Sequence, residues 1–287
     1  MRAELITAAE LLSSSKLGDF DRAVALMQNT VMSFTMKVCG HREDAEDTMQ
    51  EVFVSSLPHL RKIRDPRALA VWLYKTARTR CWMSKRRSKF APKDTLSLDA
   101  LMPDDRELES LVANREESPE AEVSNAQQAD QVRQAVLRIP PKYRLILVLH
   151  DMEDLETAEV AAITGLAEGT VRVRLHRARL FVRKELGAAS RPKSRKKKVA
   201  KPLSCRQMFA GLSELLDGRL DDLTCDRVNR HLRDCPPCVA FLQDLRRAVE
   251  RCRQAESPCN SATADKVRKL LVQEYLRLSE EATMASS

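Results

Sequence analysis

One stretch, residues 157–186, restricts the fold of this chain more than any other. Its sequence, TAEVAAITGLAEGTVRVRLHRARLFVRKEL, spaces Ala161, Gly165 and Val171 at intervals of four and six residues. A small residue at Ala161 allows two helices to cross closely, and Gly165 suits a turn that needs positive φ. Val171 can then anchor a second helix to the first. The pattern predicts a helix-turn-helix motif.

The second helix of this motif, predicted to start near Glu168 or Thr170, has a core face and a cationic face. Its apolar residues recur at spacings of three and four, as an amphipathic helix requires. A helix of this width and charge suits the DNA major groove, although a solvated basic helix on any small domain would look similar. The candidates for contact with DNA are Thr170, Arg172, Arg174, His176, Arg177 and Arg179.

The composition narrows the class of protein. The chain has 287 residues and a net charge of +8, which favours an anionic partner. It has no run of eighteen apolar residues and no apolar signal core at its start, so we expect a cytoplasmic protein without a membrane partner. Its eight cysteines are then expected to be thiols or metal ligands rather than disulfides. Only seven glycines and little strand-like alternation favour an all-α fold.

Two helical stretches in the first third of the chain differ in charge. The stretch REDAEDTMQEVF begins with acids, whereas ALAVWLYKTARTRCWMSKRRSKF carries an uninterrupted basic face with aromatic residues beside it. Rings and cations together suit single-stranded nucleic acid, because bases stack on the rings while phosphates meet the cations. Packing in a helical core is the other interpretation; it is favoured for Trp72 and left open for Tyr74 and Trp82.

Three segments in this order resemble bacterial sigma factors of the extracytoplasmic-function class. They are DAEDTMQEVF, RDPRALAVWLYKTARTRCWMSKRR and IPPKYRLILVLHDMEDLETAEVAAITGLAEGTVRVRLHRAR. The first two resemble the family's region 2 and the third its region 4. The chain departs from the family at Ile139, where Leu is common, and at Thr157, where an aromatic is common. Neither departure falls on the presumed DNA face.

The resemblance implies two partners, core RNA polymerase and promoter DNA. In the family, an acidic helix of region 2 docks on the polymerase, and Asp44, Asp47, Gln50 and Glu51 occupy the matching positions. Region 2 also captures a flipped promoter base, which helps to open the strands. The residues matching that surface are Arg61, Arg64, Tyr74, Arg78, Arg80, Trp82, Lys85 and Arg86.

A metal-binding pattern lies near the C-terminus. His231, Cys235 and Cys238 form H-x3-C-x2-C, and His231 and Cys235 share one face of a helix. A closed tetrahedral site needs a fourth ligand, for which Cys205 is the first candidate and Cys225 the competitor. The segment resembles the zinc-binding domain of anti-sigma factors, which implies one zinc ion. A metal-free thiol-rich bundle and a redox-active C-x-x-C remain open interpretations.

The sequence therefore predicts an all-α initiation factor that is not an enzyme. We expect its zinc-binding domain to regulate it in cis, and a separate anti-sigma factor is a further candidate partner. The resemblance also implies a role in stress response. A conventional helix-turn-helix regulator that does not dock on polymerase is the alternative, and a zinc enzyme with an activated water is a further one. The predicted organisation is region 2 at 19–90, a flexible acidic linker at 91–127, region 4 at 128–187, a basic linker at 188–202, the zinc-binding domain at 203–252 and an amphipathic helix at 264–281.

Overall fold

The structure is a computed structural model, and it describes residues 3–14, 16–60, 63, 65–85, 96–113, 125–188, 203–255 and 262–284. The elements of these residues are helices, with no strand among them, which confirms the all-α prediction. A short π-helical turn, Val148–Met152, follows α8. The helices are α1 Ala3–Leu12, α2 Leu17–Cys39, α3 Arg42–Leu60, α4 Pro66–Lys85, α5 Leu98–Leu101, α6 Asp105–Ala113, α7 Asn125–Arg138, α8 Pro141–Leu147, α9 Thr157–Thr164, α10 Glu168–Ala188, α11 Leu203–Leu216, α12 Asp222–Asp234, α13 Pro236–Gln254 and α14 Ala262–Met284.

The chain divides into two compact units, and each is discontinuous in sequence. Unit 1 comprises Met1–Lys93, Val148–Ala167 and Glu256–Ser287. Its helices α1 to α4 pack on one another, and α9 packs on α4. The core contains Phe34 and Tyr74, whose rings meet edge to face with centroids 4.9 Å apart. None of the helices in the described part of the chain is long and apolar enough to cross a membrane.

The predicted C-terminal helix is present as α14 and belongs to unit 1. It packs on α2 and α3. Val267 and Leu271 are buried, which accounts for part of the apolar stripe seen in the sequence. Gln28 of α2 donates a side-chain hydrogen bond to the carbonyl of Ala264 at 3.1 Å. The last helix of the chain is therefore anchored on the helices of the region 2 segment.

Two cysteines of unit 1 differ from the sequence-based expectation. Cys39 and Cys81 form a disulfide, although we expected free thiols or metal ligands. The packing of α2 against α4 brings their Cα atoms to 6.4 Å, and both residues are buried. A separation of 42 residues in the sequence gives no sign of this pairing.

Unit 2 comprises Asp94–Leu147 and Glu168–Ala255. Its core joins Leu180 of α10 to Phe209 of α11 and to Phe241 and Leu245 of α13. Two short helices, α5 and α6, lie where we expected a flexible acidic linker. They contribute Leu101 and Leu108 to this core, so apolar burial orders a segment whose composition indicates a tether.

Candidate nucleic-acid interface and metal centre

The predicted turn and its two helices are present around residue 165. Glu156 and Glu159 form a capping box that begins α9. Gly165 has φ 70° and ends α9, and its N–H donates to the carbonyl of Ala161 at 2.8 Å. The left-handed backbone at this position explains the requirement for glycine. Helix α10 then begins at Glu168, one of the two predicted starts.

One face of α10 borders an open, basic groove in unit 2, with a volume of about 350 Å³. Thr170 is exposed, and Arg174 and Arg177 are partly exposed. Val173, 54% exposed, stands between them. This arrangement presents hydrogen-bond donors, cations and one apolar side chain along the groove. Arg172, also partly exposed, lies at the edge of the other basic face of α10. The groove is lined by Lys142, Tyr143, Gly169, Thr170, Val173, Arg174 and Arg177.

A second face of α10 is basic but buried. Arg179 lies on this face, so the prediction that it contacts DNA is wrong for this structure. The guanidinium of Arg179 is fully buried and makes a two-pronged ion pair with Asp217 of the α11 end, with N–O distances of 2.8 and 3.0 Å. It also donates to the hydroxyl of Ser213 at 2.9 Å. Such bidentate, charge-assisted pairs are among the stronger hydrogen bonds in proteins. Arg179 is therefore engaged by the zinc-binding segment rather than presented to DNA.

Arg183, one turn further along α10, is held in the same way. Its side chain is 1% exposed and pairs with Glu107 of α6 at 2.6 Å and with Asp244 of α13 at 3.0 Å. The guanidinium carbon lies 4.4 Å from the ring centroid of Phe241, a cation–π contact. We call Arg179, Arg183 and their acidic partners Asp217, Asp244 and Glu107 the arginine clamp.

His176 lies on the buried face as well, which also differs from the expectation of a DNA contact. Burial and then the positive charges of Arg179 and Arg177 lower its pKa from 6.5 to about 4. Among the residues that the structure describes, neither ring nitrogen has a hydrogen-bond partner. The imidazole is thus held neutral inside unit 2.

The His176 environment predicts a pH dependence of stability. Below pH 6.5 the unfolded chain binds a proton at this histidine while the folded chain does not, so the free energy of unfolding falls as pH drops towards about 4. The slope approaches about 1.4 kcal/mol per pH unit from this residue alone. Urea denaturation between pH 4.5 and 7 measures this dependence. The free energy of unfolding of His176→Leu should lack this pH-dependent contribution, whereas that of His41→Asn, at an exposed position, should keep it. Equal slopes in both variants would contradict the assignment.

The candidates in the region 2 segment fall into three groups. Tyr74 is buried and donates its hydroxyl to Glu153 at 2.7 Å, so it is a core residue here and not an exposed stacking platform. Arg78 donates to the carbonyl of Ile163 at 2.8 Å, and Arg80 pairs with Glu51 at 3.3 Å. Trp82 and Lys85 lie on α4 at positions whose side chains the structure does not describe, and Arg61, Arg64 and Arg86 fall outside the described residues.

The acidic candidates for polymerase contact all lie on α3. Asp47 and Glu51 are exposed, and Asp44 and Gln50 are partly buried. The pair between Glu51 and Arg80 is solvent-exposed on both sides and therefore weak. The helix thus presents acidic and hydrogen-bonding side chains along its N-terminal half.

A cluster of three cysteines and one histidine lies in the C-terminal part of unit 2. The potential ligand atoms of Cys205, His231, Cys235 and Cys238 all lie within 4.8 Å of one another. Nε2 of His231 is 3.2 Å from the Cys238 sulfur and 3.8 Å from that of Cys205. Cys225 lies outside the cluster, where its sulfur accepts a hydrogen bond from Asn229. The geometry therefore favours Cys205 as the fourth donor.

Local sequence explains why these four side chains converge. Gly218, with φ 64°, reverses the chain after α11. Asp221 then accepts a hydrogen bond from the N–H of Thr224 at 2.9 Å and begins α12, which carries His231. Two prolines, Pro236 and Pro237, begin α13, so Cys235 precedes this helix and Cys238 lies in its first turn.

The donor set fits one zinc ion. Three sulfurs and one imidazole nitrogen complete a tetrahedral site of the structural kind, without an open position for a catalytic water. Burial, together with the neighbouring cysteines, raises the pKa of the Cys238 thiol. A bound cation at this cluster would favour the thiolate form of this sulfur. The closed set argues against the zinc-enzyme alternative.

The cluster predicts which cysteine is needed for metal. Cys205→Ser should reduce bound zinc from one ion per chain to a small fraction, because three remaining donors no longer close the site. Cys225→Ser is the matched control and should keep one ion. Elemental analysis after dialysis against metal-free buffer measures both. Zinc loss in the Cys225 variant with retention in the Cys205 variant would reverse the assignment.

Three family models match separate segments of the chain. A family model described as Sigma-70 region 2 matches residues 23–90, and one described as Sigma-70, region 4 matches residues 129–182. A zinc-finger family model matches residues 205–238, which contain all four clustered ligands.

Individual relatives match about 60% of the chain. The ECF RNA polymerase sigma factor SigW of Bacillus subtilis is 27% identical over 174 residues, covering 60% of this chain and 92% of the relative. The ECF RNA polymerase sigma factor SigM of Mycobacterium tuberculosis is 29% identical over 182 residues, covering 62% and 84%. The RNA polymerase sigma-H factor of Pseudomonas aeruginosa is 26% identical over 183 residues, covering 62% and 92%.

Proposed function

We propose that this chain, which belongs to the sigma factors of the extracytoplasmic-function class, directs core RNA polymerase to promoters under the control of its own zinc-binding domain. The presence of regions 2 and 4 in this order carries the first part of the proposal. Sigma factors are non-catalytic initiation factors, so the chain contributes binding, positioning and strand opening while the polymerase performs the chemistry. We place this activity in the cytoplasm, where polymerase and promoter DNA meet.

The basic groove along α10 is the proposed reading surface for the upstream promoter element. Thr170, Arg174 and Arg177 border it, and their donors suit base edges and phosphates. The acidic half of α3 is the proposed docking surface for the polymerase, through Asp47 and Glu51 with Asp44 and Gln50 beside them.

Regulation in cis rests on one observation, the arginine clamp. Two cations of the DNA-reading helix are buried against Asp217 and Asp244, which belong to the zinc-binding part of the chain. Arg172, at the edge of the same face, lies 3.8 Å from Glu214. The acids thus occupy cationic groups that phosphates would otherwise neutralise. We infer that the zinc-binding domain lowers promoter affinity while the clamp is closed.

Transcription in vitro tests the proposed function. Purified chain and core polymerase are incubated with a promoter library, and the 5′ ends of the transcripts are mapped. Initiation at defined positions that depends on the chain supports a sigma factor. Duplex DNA binding without any initiation would favour the conventional helix-turn-helix regulator instead.

A further inference from the structure

A buried carboxylate in unit 1 has partners from distant parts of the sequence. Glu153 is fully buried. Its Oε1 accepts a hydrogen bond from the ammonium of Lys37 at 3.0 Å, and its Oε2 accepts one from the hydroxyl of Tyr74 at 2.7 Å. Lys37 and Tyr74 are themselves 3% and 1% exposed. Both oxygens of the carboxylate are thus satisfied, as a buried charge requires.

These three side chains come from two different regions of the sigma factor. Lys37 lies on α2 and Tyr74 on α4, both within the region 2 match, whereas Glu153 follows the π-helical turn within the region 4 match. The contact therefore ties the segment that precedes α9 to region 2. A second bond supports it, since Arg78 of α4 donates to the carbonyl of Ile163 in the last turn of α9.

The polar character of this contact suits an interface that opens. A permanently buried ion pair is a poor way to stabilise a core, because apolar side chains of similar volume often serve as well or better. An interface that separates has a different requirement, since its side chains must then face water. Glu153, Lys37 and Tyr74 can all be solvated after separation, whereas apolar replacements would leave an exposed hydrophobic patch.

The contact also engages two of the candidates for contact with the melted promoter strand. They are Tyr74 and Arg78, which lie one turn apart on α4. Here they are engaged by Glu153 and by the end of α9. Closure and strand capture therefore compete for the same two side chains.

We propose that Glu153 is a latch that closes the α9 segment onto the promoter-opening face of region 2 and releases it when the factor is active. The inference rests on the proposed function and adds a second point of control, in unit 1, whose contacts do not involve the zinc ligands or the arginine clamp. Its residues are Lys37, Tyr74, Arg78, Glu153 and Ile163.

Hydrogen exchange of the full, zinc-loaded chain tests the latch with two variants of opposite expected effect. Glu153→Gln keeps the shape of the side chain but removes the negative charge that pairs with the Lys37 ammonium in the closed state. Exchange in peptides covering α9 should then rise about tenfold, and initiation should increase severalfold. The combined variant Lys37→Met, Tyr74→Phe, Glu153→Met makes the contact apolar, so exchange should return to the wild-type rate or below. Glu43→Gln, an exposed acid on α3, is the control for charge loss and should leave exchange unchanged.

The outcomes separate a latch from a merely structural contact. Faster exchange in both Glu153 variants would mean that loss of packing alone opens the α9 segment. Unchanged exchange in Glu153→Gln would mean that the α9 segment does not open. Either result overturns the latch. Exchange is measured without polymerase, so it tests the latch even in a chain that fails to initiate transcription. Such a failure would refute the proposed function alone.

Discussion

Loss of the zinc ligand Cys238 is expected to raise the affinity of the full chain for its promoter duplex by about tenfold or more, which corresponds to about 1.4 kcal/mol or more. Structural zinc contributes roughly 10–16 kcal/mol to the folding of zinc-finger peptides, so the helices that carry the ligands should lose their fixed arrangement without it. Asp217 and Asp244 would then no longer hold Arg179 and Arg183.

The salt dependence of binding gives this prediction a second, independent readout. If the two released arginines reach phosphates, the slope of log K against log salt should steepen by about 1.8, since each contact adds about 0.9. Fluorescence anisotropy across a potassium chloride series measures both affinity and slope, with Cys225→Ser as the matched cysteine control. Equal affinity and slope in Cys238→Ser and the wild type, with zinc lost, would contradict this release of the arginines.

The second large effect is expected from breaking the arginine clamp without touching the metal. The double variant Asp217→Asn, Asp244→Asn should lower the free energy of unfolding by about 3 kcal/mol, because two buried guanidinium groups lose charged partners. Arg183 keeps Glu107, which limits the loss at that site. Urea denaturation of the zinc-loaded chain measures the change.

The same variant should retain one zinc ion and bind promoter DNA more tightly than the wild type. This separates the clamp from the metal site, since the ligands are unaltered. Asp226→Asn, an exposed acid on α12, is the matched control and should change neither stability nor DNA affinity appreciably. If the double variant were as stable as this control, the arginine clamp would contribute little to holding α10 against the zinc-binding segment.

Most of the fold was predictable because its signals are local. The 3.6-residue periodicity marks the helices, and the small residue and glycine at 161 and 165 mark the turn. The metal cluster was predictable for the same reason, because H-x3-C-x2-C fixes three ligands by spacing alone. The fourth ligand was left open between Cys205 and Cys225, since only the packing of α11 against α12 brings Cys205 to the site.

The number of basic residues on α10 did not show which of them are exposed and which are buried in ion pairs. One stripe of the helix is formed by residues spaced at intervals of four, three and four, namely Arg172, His176, Arg179 and Arg183. Thr170, Val173, Arg174 and Arg177 form a separate stripe. Helix α10 therefore has two cationic faces. The acids that bury one of these faces come from distant segments of the sequence, so the spacing alone does not show which face is buried.

Long-range pairings explain the remaining differences. Glu107 lies 76 residues from Arg183, and Glu153 lies 116 residues from Lys37. Such contacts depend on tertiary packing and leave no periodic trace in the sequence. The segment around α5 and α6 shows the same limit, because its acidic composition indicated a linker while Leu101 and Leu108 are buried in unit 2.

The central proposal is that the chain acts as a sigma factor and is restrained by its own zinc-binding domain. Initiation by the full chain and by residues 1–190 tests it most directly. The shorter chain is a reasonable comparison, since 174 aligned residues already cover 92% of the SigW relative. With one promoter and saturating core polymerase, we expect a severalfold higher initial rate of specific transcripts from residues 1–190. An equal or lower rate from residues 1–190, with that protein folded and bound to core polymerase, would contradict the claim.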